Sequence, residues 1–173
     1  MRHALSQQFK LALDDWSFME TPNSAPRVNN LPGKVYLSLS HSCGFIGFAI
    51  SFCPLGIDLE NGARRRDFAA LAEQFMNPDE ITRLHHEGAS SDYFYRAWCA
   101  KEACYKALSP RQQAKTGLRQ ISYADLSDHS RAWHLTETSI EGQQFAAVLK
   151  EKPLQTSYRH FCLNQAAELV TVQ

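Results

Sequence analysis

The period of the apolar pattern changes twice along this chain, and that change limits the folds open to it more than any other feature. VYLSLS from Val35 alternates apolar and polar residues, GFIGFAISF follows from Gly44, and PLGIDLE from Pro54. A period of two is the strand's, and the HSCG and FCP links are short enough for hairpins. The stretch from Val35 to Glu60 is therefore expected to be a small antiparallel sheet. The pattern then turns helical, first from Asp67 to Gln74. A second helix follows, with Asn77 as cap, Pro78 in the first helical position, and Asp79 and Glu80 at the positive end of its dipole. A third runs from Asp92, also a good cap, to near Leu108, where Ser-Pro breaks it. Beyond Gly117 the short runs ISYADL, AWHLTET, QFAAVLK and SYRHFCL predict a second set of strands. Upstream, Leu5, Phe9, Leu11, Leu13 and Trp16 predict a helix ending near Asp15, then a loop rich in Pro and Asn to Gly33. The class implied is α+β, with antiparallel sheets packed against helices.

Two motifs lie on these elements. On a strand, Asp58 and Glu60 of GIDLE share one side while Ile57 and Leu59 take the other, which makes half of a hard-cation site. An isolated pair of this kind is also what a strand end in water presents. On the long helix, at about 100° per residue, Phe94, Ala97, Trp98, Lys101, Cys104, Tyr105 and Leu108 fall on one arc. Lys101 projects from within that apolar stripe, and Glu102 and Lys106 lie together on its flank, one turn apart. Read alone, Glu102 and Lys106 are an i, i+4 surface pair, and Lys101 a lysine whose stem passes Trp98 toward water. Read together, three carboxylates and two lysines are what phosphoryl chemistry on a diphosphate requires: oxygen ligands for Mg²⁺, cations for the charged oxygens, and a carboxylate to take a proton.

Composition excludes other classes. Eighteen basic residues balance eighteen acidic ones, so no bulk field draws the chain to nucleic acid or anionic lipid. The five cysteines show neither a CxxC pair nor zinc-finger spacing, and are read as reduced thiols in a cytoplasmic protein. Cys99 and Cys104 are assigned to packing, Trp98 to bracing the helix, and His85 and His86 to the surface. MRHALSQQFKLALDD lacks a signal peptide's apolar core, and no run of about 18 apolar residues occurs.

SLSHS, GIDLE and WCAKEACYKA, in that order and at these separations, resemble the Sfp-type 4'-phosphopantetheinyl transferases, whose signature is a G-[IV]-D-x-E strand and a W-x-x-K-E-x-x-x-K helix. The resemblance covers about Gly33 to Leu118. It implies a single domain of two similar halves related by a pseudo-twofold, here about 1–57, shortened, and 58–173. It also implies transfer of the phosphopantetheine arm of coenzyme A to a serine of an apo acyl or peptidyl carrier protein, with release of 3',5'-ADP and with Mg²⁺ as metal. By motif position Asp58, Glu60 and Glu102 would face the metal, Glu102 being the candidate base, and Lys106 would hold the diphosphate. Lys101 would sit near the phosphates, Ser40 and His41 would contact coenzyme A, His41 through its 3'-phosphate, and Lys34 would line the nucleotide side.

Departures from the pattern shape further expectations. Val35 stands where relatives carry the proline of a G-K-P element, and the first half is incomplete by this comparison, with Arg2 and Lys10 available to replace missing nucleotide contacts. Arg64, Arg65 and Arg66 offer a basic patch to an acidic carrier, or a solvated loop. The expected state is a monomer without nucleic-acid or membrane partners. Two rivals stand beside the transferase: a non-catalytic binder of coenzyme A or carrier protein, and a metal-dependent phosphodiesterase or nuclease, which the balanced charge disfavours.

Overall fold

The structure, a computed structural model, describes residues 1–19, 27–128 and 132–151, together with the backbone strands His160–Leu163 and Leu169–Val172. The first helix, α1 (Arg2–Phe9), stops where Lys10 enters the left-handed region at φ 59°. The expected run to Asp15 is thereby corrected: a separate 3₁₀ turn covers Leu13–Asp15. Trp16 is the reason for the fold-back. It is buried, and its indole N–H donates to Ser6 Oγ at 2.8 Å. Arg2 closes the same loop by donating to the carbonyls of Leu13 and Trp16. Strands β1 (Phe18–Met19) and β2 (Arg27–Val28) then form a two-stranded antiparallel pair.

β3 (Tyr36–Ser42) and β4 (Phe45–Ser51) form the expected hairpin. Its two turn residues, Cys43 at φ 45° and Gly44 at φ 85°, both take the left-handed conformation that a two-residue turn matched to strand twist demands. β5 (Leu55–Asn61) does not join them in one sheet, and here the expectation fails. It pairs antiparallel with a strand far along the chain, placing Asp58 opposite Ala146 and Glu60 opposite Gln144.

The helices begin where their caps allow. Asp67 accepts from the Ala70 N–H at the start of α2 (Phe68–Phe75). Asn77 and Glu80 exchange capping bonds at the head of α3 (Pro78–His86), as the local sequence predicts. The long helix, α4 (Ser91–Ala107), is capped by Ser90, which accepts from the Tyr93 N–H, so Asp92 lies inside the first turn rather than at the cap. After the short α5 (Pro110–Gln113), ISYADL departs from expectation and forms α6 (Tyr123–Ser127). Ser122 caps it by accepting from the Asp125 N–H, and Tyr123 and Leu126, three apart, are both buried. The runs AWHLTET and QFAAVLK supply β6 (His134–Ile140) and β7 (Gln143–Leu149). β8 (His160–Leu163) and β9 (Leu169–Val172) pair with each other, while the start of SYRHFCL lies outside the described residues.

The order β5-β7-β6 makes β7 the centre of a three-stranded antiparallel sheet. One core joins Ala146, Val148 and Leu135 of this sheet to α4, α2, α3 and α6. A second, smaller one gathers Leu55, Ile57 and Ala147 with Tyr36 and Ala49 of the hairpin. α4 therefore has neighbours on several sides, and its buried residues, from Tyr93 to Ala107, are not confined to one arc. Among the described residues no helix is long and apolar enough to cross a membrane.

Candidate active site

β5 and α4 place the carboxylates in one cavity of about 280 Å³, lined by Leu39, Ser40, His41, Asp58, Leu59, Glu60, Trp98, Glu102 and Lys106. The strand's period of two brings Asp58 and Glu60 to the face that α4 covers, and the helix's i, i+4 spacing presents Glu102 and Lys106 from the other side. The contact between strand and helix is very close. At Gly56 a Cβ would lie 1.9 Å from the Ala103 carbonyl oxygen, so only glycine fits.

Asp58 is the centre of this arrangement. It is buried, and its Oδ1 accepts from Lys106 Nζ at 2.7 Å and from Ser40 Oγ at 2.9 Å. Its Oδ2 is buried and, among the described residues, meets no donor at hydrogen-bond distance, the nearby Cys99 thiol bonding the Gln144 carbonyl instead. A buried carboxylate oxygen left without a donor is costly, and this one faces the cavity open to a donor or cation from outside the chain. Lys106 also donates to the Ile57 carbonyl at 3.3 Å. Glu60 is held at 3.3 Å by Arg66, whose guanidinium lies 5.9 Å from the Tyr95 ring centre, and Tyr95 in turn donates to the Arg64 carbonyl.

Burial raises the carboxyl of Glu102 above the usual glutamate range, with Asp58 adding to the rise and Lys106 opposing it. Burial likewise raises Glu60, against the pull of Arg66. Among the described residues no group of three His, Cys, Asp or Glu side chains is assembled to hold a metal unaided. Mg²⁺ does not need one, since it commonly takes one or two carboxylates and completes its octahedron with water and substrate phosphate. Asp58 Oδ2, with Glu102 and Glu60 on the same walls, fits that pattern.

The structure sorts the remaining candidates. His41 reaches the rim and is exposed; Lys34 is exposed ahead of β3, beside the Tyr36 ring at 5.7 Å, and does not line the cavity. Lys101 is set apart and corrects the expectation that it nears the phosphates. It is fully buried on another side of α4, ion-paired with Glu80 and donating to the Phe75 carbonyl at 2.9 Å. Glu80 also accepts from the N–H groups of Asn77 at 2.9 Å and Tyr123 at 2.7 Å, so its carboxylate ties α3, α4 and α6 together. Arg2, expected as a stand-in for nucleotide contacts, is committed to its own loop.

Trp98 braces the helix, packing on Phe75 with ring centres 4.7 Å apart, and also walls the cavity. Cys99 and Cys104 are buried as expected, and burial pushes the Cys104 thiol up to about 11. Sequence reasoning read Arg66 only as part of a basic patch and missed its pairing with Glu60, and it missed the role of Glu80. Glu80 was legible only as a helix-start acid, and nothing local links Arg66 to Glu60.

Comparison with known proteins adds an independent finding. Residues 54–163 match the family model described as the 4'-phosphopantetheinyl transferase superfamily. Over 108 residues the chain is 32% identical to the 4'-phosphopantetheinyl transferase psf-1 of Bacillus pumilus, covering 61% of this chain and 45% of that protein. Against 4'-phosphopantetheinyl transferase ffp of Bacillus subtilis the identity is 29%, and against 4'-phosphopantetheinyl transferase Sfp of Bacillus subtilis strain 168 it is 28%, each covering 61% of this chain and 47% of the relative. The chain thus spans about half the length of the curated relatives it matches.

Proposed function

This chain belongs to the 4'-phosphopantetheinyl transferase superfamily, and we propose that it transfers the phosphopantetheine arm of coenzyme A to a serine hydroxyl of an apo carrier protein. The observation that carries the proposal is the buried, unpartnered Oδ2 of Asp58 in the cavity it shares with Glu60, Glu102 and Lys106. A cavity of about 280 Å³ lies just under the ~300–1,000 Å³ range of small-molecule sites, which suits the diphosphate end of the donor rather than the whole of it.

In this reading Asp58, Glu102 and Glu60 would hold Mg²⁺, which would supply Lewis-acid charge neutralisation to the diphosphate. The serine oxygen forms a bond to the phosphorus of the pantetheine-side phosphate, and that phosphorus releases the bridging oxygen. The bonding pair leaves on the 3',5'-ADP phosphate. Lys106, half-buried and already directed into the cavity, offsets the developing negative charge, as lysines do in phosphoryl transfer generally. Glu102, on the cavity wall beside Asp58, accepts the serine proton. His41 at the rim takes the 3'-phosphate, with Lys34 further out on the nucleotide side.

The same proposal treats the chain as one domain of two halves. The halves are taken as about 1–57 and 58–173, a division that falls within β5 (Leu55–Asn61). Arg64 and Arg65, exposed beside the site, are offered to the acidic surface of a carrier, whereas Arg66 is taken by Glu60.

The test is mass spectrometry of apo acyl and apo peptidyl carrier proteins incubated with the chain, coenzyme A and Mg²⁺, beside Glu102→Ala and a chelated control. A phosphopantetheine adduct on the serine, lost in both controls, is expected. Coenzyme A bound without an adduct on any carrier would favour the non-catalytic reading, and no binding of coenzyme A at all would end the proposal.

A further inference from the structure

β5 pairs with β7 along one edge, and the N–H groups on its other edge meet side chains instead of a backbone ladder. Ile57 N–H donates to Ser38 Oγ at 2.9 Å, Leu59 N–H to Ser40 Oγ at 3.2 Å, and Asn61 N–H to Ser42 Oγ at 3.2 Å. Each rung joins residues separated by the same interval of nineteen, so β3 and β5 advance in the same direction. The alternate serines of SLSHS thus stand in for the carbonyls of a neighbouring strand.

The middle rung carries a second load. A serine hydroxyl has one proton and two lone pairs. Ser40 gives its proton to Asp58 Oδ1 at 2.9 Å, and receives Leu59 N–H and, at 3.5 Å, Lys106 Nζ. Its capacity is filled within the chain, which leaves nothing with which to hold a donor phosphate.

We propose that Ser38, Ser40 and Ser42 form a hydroxyl ladder joining the β3–β4 hairpin to β5, and that Ser40 is a positioning residue that turns Asp58 Oδ2 into the cavity rather than a group that contacts coenzyme A. The catalytic half of this inference rests on the transferase reading above; the ladder does not. Ser38 is the internal control, because it makes the same kind of rung without touching Asp58 among the hydrogen bonds of the described residues.

The experiment compares Ser38→Ala, Ser40→Ala and Ser40→Thr with the parent chain. Backbone amide exchange and the side-chain carboxyl ¹³C resonance of Asp58 are read by NMR, coenzyme A affinity by calorimetry without metal, and transfer kinetics on an apo carrier. Ser38→Ala should speed exchange at Ile57, and Ser40→Ala at Leu59, each by about tenfold, the effect of losing one buried hydrogen bond. Only Ser40→Ala should shift the Asp58 carboxyl resonance and lower kcat by about tenfold or more, with coenzyme A affinity and KM within about twofold. Ser40→Thr, which keeps the hydroxyl, should restore all three. Unchanged exchange at Leu59 in Ser40→Ala would overturn the ladder. A tenfold loss of coenzyme A affinity in that variant, with the Asp58 resonance unmoved, would make Ser40 a donor contact and overturn the positioning role. A parent chain inert on every carrier would refute the transferase reading, while the amide and carboxyl signals would still decide the ladder and the orientation of Asp58.

Discussion

Gly56→Ala is a one-methyl change with opposing consequences whose balance can be worked out. Chain entropy favours alanine, because glycine inside a strand costs roughly 0.5–1 kcal/mol relative to it. Space opposes it. The new Cβ would lie 1.9 Å from the Ala103 carbonyl oxygen and 2.7 Å from the Ala107 nitrogen, where contacts under 3.0 Å essentially never occur. All of these atoms are backbone, so no side chain can swing aside, and α4 must retreat from β5 by about 1 Å, the gap between those distances. Overpacking that moves backbone costs about 1–3 kcal/mol, and the top of that range outweighs the entropic gain. The net loss is about 2–2.5 kcal/mol, which for a chain of 173 residues lowers Tm by roughly 4–10 °C. The same retreat carries Glu102 and Lys106 away from Asp58, stretching the 2.7 Å Lys106–Asp58 contact beyond hydrogen-bond range. Misplacement of catalytic groups by about 1 Å costs on the order of 100-fold in rate. Thermal unfolding followed by circular dichroism, with transfer rates on an apo carrier, measures both. Gly47→Ala is the matched control, because its Cβ would meet the flexible Cδ1 of Ile57 at 3.2 Å and otherwise make ordinary contacts at 3.8 Å with Phe145 and the Ser40 carbonyl. A Gly56→Ala protein as stable and as active as the parent would refute the reasoning.

Glu80→Ala strips the buried Lys101 of its ion partner and leaves the N–H groups of Asn77 and Tyr123 unmatched, so urea denaturation should show a loss of about 3–5 kcal/mol. Replacing both members of the pair, Glu80→Leu with Lys101→Met, should recover part of that loss, because no buried charge then stands alone. Glu102→Gln should abolish transfer yet raise Tm near neutral pH. The folded carboxyl titrates above its ordinary value, so the folded chain holds more protons in that window and loses stability as pH rises through it. The advantage of the variant over the parent should vanish below the ordinary value of 4.5, and an advantage that grew toward acid pH would contradict the assignment.

What the sequence made legible was local or motif-borne. Asn77, Pro78 and Glu80 announce a helix start within four residues, and the capping bonds follow. Asp58, Glu60, Glu102 and Lys106 come together because a strand's alternation and a helix's turn both survive tertiary packing. The errors arose where a distant partner decided. The three-residue FCP link suggested a hairpin, but β5 takes β7, more than eighty residues on, and its other edge is satisfied by serines. The weak amphipathy of α4 has the same source. A helix enclosed on several sides buries several faces, so an arc drawn from spacing could not say that Lys101 meets Glu80 while Glu102, one position on, meets the cavity.

The free site is arranged against itself, and that bears on what it is for. Three carboxylates share one small cavity, two of them with carboxyls raised by burial, while one lysine reaches Asp58 and one arginine reaches Glu60. Folding alone would be better served by fewer charges, since each buried carboxylate without full pairing opposes stability. The cost concentrates where Asp58 Oδ2 meets no donor among the described residues. A group supplied from outside that satisfies this oxygen binds the folded chain and not the unfolded one, so it must stabilise the fold by mass action. The strand–helix contact at Gly56 holds the two carboxylate-bearing elements close together. The rigidity that makes alanine intolerable there is therefore the same rigidity that keeps Glu102 and Lys106 facing Asp58, and a chain that relaxed the first would lose the second.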